Sequence, residues 1–327
     1  MGRYVASRLS HEVNVPAVIE AKGLVRVYDD VRAVDGVDLR VDQGEIFGFL
    51  GPNGAGKTTI VRMLVTLLRP TAGSATVAGY DVVRESHHVR RAIGVALQDA
   101  AIDPLMTGRE LVRLQAVLHG LSKKQTATRG LELLERVGLT GAADRLVGTY
   151  SGGMRRRLDL ALALVHEPQV LFLDEPTTGL DPTSRVAVWD EVRRLNSDHG
   201  TTVFLTTQYL EEADQLAGRI AIIDHGRIVC EGVPAQLKAA VGGPTLEIDV
   251  DETHRDAARE TLSRFGSERP ARPGHLAIGL DAGAAQMTNV VRALDEAGIA
   301  VRHIELDAPS LDDVFADATG RRLEGAG

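Results

Sequence analysis

An α/β core with a largely parallel sheet, followed by a small C-terminal α+β domain, is the fold class this sequence predicts. Three observations predict it. An apolar run at 46–50 passes through a glycine-rich stretch into a helical pattern at 58–68. A near-continuous apolar run at 170–173 ends in Asp174 and Glu175, the mark of a central strand buried on both faces. From 184 to 230 strand and helix patterns alternate, which calls for a parallel sheet with crossover helices.

Along the chain, residues 1–16 lack the apolar segment of a signal peptide and read as a flexible tail. Alternation at 18–28 and 33–41, about the turn Asp29-Asp30, predicts two paired strands, an antiparallel β subdomain ahead of the core. A loop at 70–74 leads to a short strand at 75–79, a charged helical piece at 83–91 and a strand at 93–97 that ends at Gln98. His87 and His88 are adjacent and point to different sides of a helix, so solvent exposure is expected of them rather than metal binding.

From 104 to about 165 the patterns are helical only, with apolar stripes at 109–118 and 125–137: a helical insertion. It closes on Tyr150, Ser151, Gly152, Gly153 and Met154, which open an apolar helix. A helix at 184–195, a strand at 202–205 ending in Thr206, Thr207 and Gln208, a helix at 210–216 and strands at 219–223 and 227–230 complete a core domain over 17–241. Gly242-Gly243-Pro244 reads as a linker. Beyond it, strands at 245–250, 275–280 and 300–306 with helices at 255–265, 284–297 and 311–319 predict an accessory α+β domain over 245–321, and 322–327 form a tail.

The chemistry lies at strand ends. Gly51, Pro52, Asn53, Gly54, Ala55, Gly56, Lys57, Thr58 and Thr59 match the phosphate-loop pattern G-x-x-x-x-G-K-[ST] in its strand-to-helix setting. The glycines let successive backbone N–H groups point inward at a polyphosphate, and the helix start adds unpaired donors and the positive end of its dipole. Lys57 then reaches the β/γ-phosphates and the Thr58 hydroxyl reaches Mg²⁺, so a nucleoside triphosphate is the expected ligand. Ligands of open α/β sheets sit outside the carboxyl ends of strands. There Asp174 can hold Mg²⁺ or its water, and Glu175 can accept the proton of an attacking water. Ser151 with Gly152 and Gly153 makes a second anion-binding helix start; a plain N-cap with a glycine turn is the alternative.

Bulk properties bound the rest. The 327 residues, 44% hydrophobic, suffice for two domains. A net charge of −8 argues against a nucleic-acid partner. The single cysteine, Cys230, lies in an apolar strand and reads as a buried, inert thiol. Nowhere do about 18 apolar residues run together, so a membrane role must come through a partner.

Taken together, the motifs resemble the ATP-binding subunit of an ABC transporter, a P-loop NTPase, over about 19–241. Walker A runs from Gly51 to Thr59, Gln98 is the Q-loop glutamine, Ser151, Gly152 and Gly153 the signature, Leu171 to Asp174 Walker B, and Asp181 closes the D-loop. The resemblance places Tyr28 against the adenine ring and Gln98 near the nucleotide and its Mg²⁺; by itself Tyr28 would be a core tyrosine. It implies ATP and Mg²⁺ as cofactors and a homodimer that closes head to tail, each ATP lying between one chain's phosphate loop and the other's signature. It also implies a separately encoded integral membrane permease, with this chain on the cytoplasmic face of the cell membrane. Glu175, Gln208 and Lys57 are then the catalytic group.

Two departures stand out. Tyr150 and Met154 replace the usual ends of the signature, and Gln208 stands where the family commonly has histidine. A glutamine amide can still donate to a γ-phosphate, but it cannot titrate near neutral pH. The stretches 207–214 and 309–315 look like the daunorubicin-resistance type of drug-exporting ATPase, a similarity extending to about Arg321. It implies ATP-driven export of an apolar, anthracycline-like compound; export of a lipid or other endogenous substrate, or a soluble non-transport ATPase, are the alternatives.

Overall fold

The computed structural model describes residues 4–5, 16–97, 102–269, 271–272, 274–280 and 283–320. Two compact units divide the chain, one from the N-terminus to Val233 and one from Pro234 to Leu323.

The first unit opens with β1 (Tyr4–Val5), within the stretch expected to be a tail, and then pairs the long strands β2 (Ala17–Tyr28) and β3 (Val31–Asp42). The phosphate-loop strand β4 (Ile46–Leu50) leads to helix α1 (Lys57–Leu64), and β5 (Ala72–Val77) and β6 (Tyr80–Asp81) join the N-terminal strands in an antiparallel sheet ordered β3-β2-β5-β6. After α2 (Ser86–Ala92) and β7 (Ile93–Ala96) comes the helical insertion: α3 (Gly108–Leu118), α4 (Lys123–Arg136), two short 3₁₀ turns and α5 (Gly152–Ala163). The chain returns through β8 (Val170–Asp174), α6 (Pro182–His199), β9 (Thr202–Thr207), α7 (Leu210–Leu216), β10 (Arg219–Asp224) and β11 (Arg227–Gly232).

The main sheet has the order β1-β11-β10-β4-β9-β8-β7, parallel throughout except for the hairpin of β10 and β11. Side chains alternate across it as period-2 strands require. Leu171, Leu173, Val203 and Leu205 enter the core shared with the helical insertion and α6. Phe47, Phe49, Phe172 and Phe204 enter the opposite core, shared with α1 and the antiparallel sheet. There Phe204 is the hub, its ring 5.5–5.7 Å from the other three. Truncating it to alanine would cost about 3–5 kcal/mol.

The second unit holds α8 (Pro234–Val241), β12 (Thr245–Val250), α9 (Arg255–Leu262), β13 (Gly266–Arg269), β14 (His275–Leu280), α10 (Met287–Glu296), β15 (Val301–Asp307) and α11 (Leu311–Thr319). Its antiparallel sheet runs β13-β14-β12-β15, over a core of Leu246, Ile248, Leu262, Ile278 and Leu294.

Four expectations need correction. Helix α1 stops at Leu64, not 68, where the chain leaves helical geometry at Val65 and Thr66. Thr66 takes φ +67°, and the N–H groups of Leu67 and Leu68 both turn back to the Arg62 carbonyl. The strand expected at 75–79 begins at Ala72. Strand β13 was not foreseen, since its residues Gly-Ser-Glu-Arg carry no apolar alternation; its backbone pairing with β14 holds it at a sheet edge. The break between units precedes α8, which packs on α11 and has Leu237 buried. Gly242-Gly243-Pro244 therefore lies inside the C-terminal unit, where the Pro244 carbonyl accepts from the Leu280 N–H.

Candidate active site

Parallel register brings the chemistry to one edge of the sheet. Leu50 of β4 lies opposite Thr207 of β9, and Asp174 of β8 lies opposite Thr206. The phosphate loop, Gln208 and the pair Asp174-Glu175 therefore leave neighbouring strands side by side.

The loop between β4 and α1 has room only for glycine at its critical points. Gly56 adopts φ +109°, and a Cβ there would come within 2.5 Å of the Ala33 carbonyl. A Cβ on Gly51 would collide with the Ile223 carbonyl. Lys57, at the first position of α1, folds back beneath the loop: Nζ donates to the carbonyls of Gly51 at 2.7 Å and Pro52 at 3.2 Å. It also lies 3.4 Å from Glu175 Oε1. Burial pulls the Lys57 ammonium below its ordinary pKa, and the neighbouring Glu175 carboxylate works against that.

Thr58 Oγ1 approaches Asp174 Oδ1 at 3.4 Å, and the same carboxylate oxygen accepts from Thr206 Oγ1 at 2.5 Å. Glu175 takes φ +48°, an uncommon conformation for a glutamate. Its N–H donates to the Thr206 carbonyl and hydroxyl, at 3.0 and 3.1 Å, and Thr178 Oγ1 donates to its Oε2 at 3.2 Å. The effect is to turn the carboxylate back toward Lys57.

The helix start expected at Ser151 is also formed. Ser151 caps α5, its hydroxyl accepting from the Met154 N–H at 3.2 Å, and Ser151 and Gly152 are exposed. Asp181 caps α6, accepting from the Ser184 N–H at 2.9 Å and its hydroxyl at 2.6 Å, bonds that hold the carboxyl below the usual carboxylate range. Gln208 is half-buried just beyond β9. Tyr28 is not a core residue: it is 39% exposed, with the Arg26 guanidinium 4.5 Å from its ring centroid. Gln98 lies outside the described residues. His87 and His88 are exposed, with His88 stacked on Tyr80, and Cys230 is buried. Among the described residues no cluster of His, Cys, Asp and Glu could by itself hold a metal.

Three contributors were not foreseen. Thr206 holds both Asp174 and Glu175, and Thr178 holds Glu175. Arg156 bonds the main chain on both sides of Glu175. A threonine-ending strand and a run of three arginines carry no pattern from which these contacts could be read.

The chain matches the family model described as ABC transporter over residues 34–178, and the model for the C-terminal domain of DrrA1-3-like ATP-binding proteins over 232–319. It is 49% identical to the daunorubicin resistance ATP-binding protein DrrA3 of Streptomyces coeruleorubidus, over 94% of this chain and 98% of that one. It is also 49% identical to the daunorubicin/doxorubicin resistance ATP-binding protein DrrA of Streptomyces peucetius, over 92% of each. A Nod factor export ATP-binding protein I from Burkholderia thailandensis is 38% identical over 94% of this chain and 99% of its own. Among solved structures, a dimeric ATP-binding cassette in a post-hydrolysis state with ADP and Pi superposes with a TM-score of 0.61 at 26% identity, covering 66% of this chain and 98% of that one. With its phosphate loop, acidic strand end and signature helix start in place, the chain belongs to the ATP-hydrolysing subunits of ABC transporters, in the daunorubicin-resistance branch.

Proposed function

We propose that this chain hydrolyses ATP at sites composed from two copies, and that hydrolysis drives export of an apolar, drug-like small molecule through a separately encoded membrane subunit. The observation that carries the reading is the gathering of Lys57, Thr58, Asp174 and Glu175 at the carboxyl ends of β4 and β8.

In this reading Lys57 and backbone N–H groups of the loop and helix start, Gly54 and Gly56 to Thr59, bind the β- and γ-phosphates. Thr58 and Asp174 present two oxygen donors to one point, a hard set that fits Mg²⁺. When bound, Mg²⁺ would draw charge from the phosphate oxygens and fix their orientation. Glu175 accepts the proton of the attacking water, and Gln208 donates its amide to the γ-phosphate without titrating. Ser151, Gly152 and Gly153 supply the partner's site, consistent with a capped but exposed helix start, and Asp181 lies at the same dimer face. Tyr28 offers its exposed ring to adenine, and Gln98 attends the nucleotide and metal.

Among the described residues no helix is long and apolar enough to cross a membrane, so attachment to the cytoplasmic face is through the permease. The relatives named for daunorubicin and doxorubicin resistance support a drug as cargo. The experiment is accumulation of a panel of apolar antibiotics in cells expressing this chain with its neighbouring membrane protein, beside cells carrying Glu175→Gln. Lower accumulation of some compound, abolished by the substitution, is expected. No difference across the panel, with both proteins in the membrane, would overturn drug export and favour an endogenous cargo.

A further inference from the structure

Arg156 lies on the helix whose start serves the partner's nucleotide, yet its guanidinium grips the loops that serve this chain's own. Nε donates to the Pro176 carbonyl at 2.9 Å, and one terminal nitrogen donates to the Leu97 carbonyl at 2.8 Å. That nitrogen also donates to Asp159 Oδ2 at 3.0 Å, and the other reaches the Asp174 carbonyl at 3.1 Å. Both members of the Arg156–Asp159 pair are largely buried, and Glu212 and Asp174 add negative charge nearby.

The geometry has a specific target. Asp174 and Pro176 flank Glu175, the residue held at φ +48°. A non-glycine residue in that region persists only when its surroundings over-determine it. Here Thr206 holds the Glu175 N–H from one side, and Arg156 holds the carbonyls before and after it from the other. The planar five-donor fork makes all four bonds at once, which a lysine cannot do. Between Arg156 and the Ser151 cap lies continuous helix, so a single secondary-structure element joins the Ser151 cap to the residue that holds the Glu175 turn.

Resting on the composite-site reading above, we infer that Arg156 is a positioning residue that couples the two ATP sites of the dimer: engagement of Ser151 by the partner's nucleotide sets the Glu175 turn in the same chain. A fault at Arg156 in one copy then disables that copy's own turn and, through its loosened helix start, the opposite site as well.

The test uses full-length chains carrying two different tags, so that mixed dimers with one Arg156→Lys copy can be purified with the membrane subunit. Expected are ATP binding within about twofold of wild type and a KM little changed, while kcat of the mixed dimer falls to about a tenth or less. A mixed dimer retaining about half of the wild-type rate would overturn the coupling. So would an Arg156→Lys homodimer that hydrolyses at the wild-type rate.

If Arg156→Lys does not fold, Asp159→Asn removes the carboxylate that steadies the guanidinium and leaves Arg156 in place. Its mixed dimer is expected below half of the wild-type rate, and a mixed dimer at half or above overturns the proposal. A homodimer of Glu175→Gln run in parallel separates the failures: full hydrolysis there would refute the role of Glu175, whatever Arg156 does.

Discussion

Lys57 Nζ lies 3.4 Å from Glu175 Oε1, with both side chains buried. The lysine proposed for phosphate and the carboxylate proposed for water therefore hold each other. Under the proposed roles, an incoming polyphosphate would compete for Lys57 and release Glu175 to take a proton. Glu175→Gln keeps the shape and removes the base. Turnover is expected to fall at least about 100-fold while ATP affinity equals or exceeds wild type, since Lys57 is no longer drawn to a carboxylate. Single-turnover hydrolysis and equilibrium binding check this; loss of binding alongside turnover would contradict it.

Two glycines separate fold from contact. Gly56 has positive φ and a carbonyl in the way of any Cβ, whereas the nearest atom to a Cβ on Gly152 is a Leu180 methyl at 3.9 Å. Gly56→Ala is expected to lower stability by about 1–3 kcal/mol and to abolish ATP binding. Gly152→Ala is expected to melt within about 2 °C of wild type, a surface-like change in stability, yet to hydrolyse ATP at least about tenfold more slowly. Melting curves and turnover of the two variants decide it.

His166 sets an acid limit on the fold. Its ring stacks on His119 at 3.7 Å, Nε2 pairs with the Ile93 carbonyl, and Nδ1 is buried without a partner. Burial, with His119 beside it, moves its pKa from 6.5 down to about 4. Between those values the unfolded chain binds more protons than the native one. Native stability from this group is therefore full above about pH 6.5 and is lost as pH falls through about 4, a change on the order of 3 kcal/mol. His166→Phe keeps the stack without that titration. It is expected to be less stable than wild type at pH 7, by about 1 kcal/mol for the lost bond to Ile93, with the order reversing near about pH 6 and the variant the more stable by about 1–2 kcal/mol at about pH 4.5. Urea melts across that range measure it.

What could be read from the sequence and what could not divide along physical lines. β4, the phosphate loop and α1 were legible because hydrophobic period, glycine spacing and the Lys-Thr pair all demand the same local structure. Asp174 and Glu175 were legible because a buried parallel strand has few other uses for two acids at its carboxyl end. The φ of +48° at Glu175, the Thr206 bonds and the fork of Arg156 were not, since each depends on backbone carbonyls brought together from distant segments. Tyr28 shows the limit of composition: an aromatic at the end of an apolar strand looks like core, and only the structure leaves its ring exposed. The C-terminal boundary failed for a similar reason, as a Gly-Gly-Pro triplet marks flexibility only where nothing packs on it.

Gln208 tests the division of labour at the γ-phosphate. If it only positions while Glu175 handles the proton, Gln208→His should leave turnover at its optimum within about threefold and make the rate depend on pH around neutrality, where imidazole titrates. A pH–rate profile of the two proteins measures this. Loss of all turnover would contradict the assignment.

If one chain carries only half of each ATP site, the mass of the Glu175→Gln chain in solution must change when Mg-ATP is added. Sedimentation should show a monomer converting to a dimer on adding Mg-ATP, with no conversion when Ser151→Arg is added to the same chain. A chain that stays monomeric with ATP bound, while its wild-type counterpart hydrolyses ATP as a monomer, would rule out a site shared between two chains.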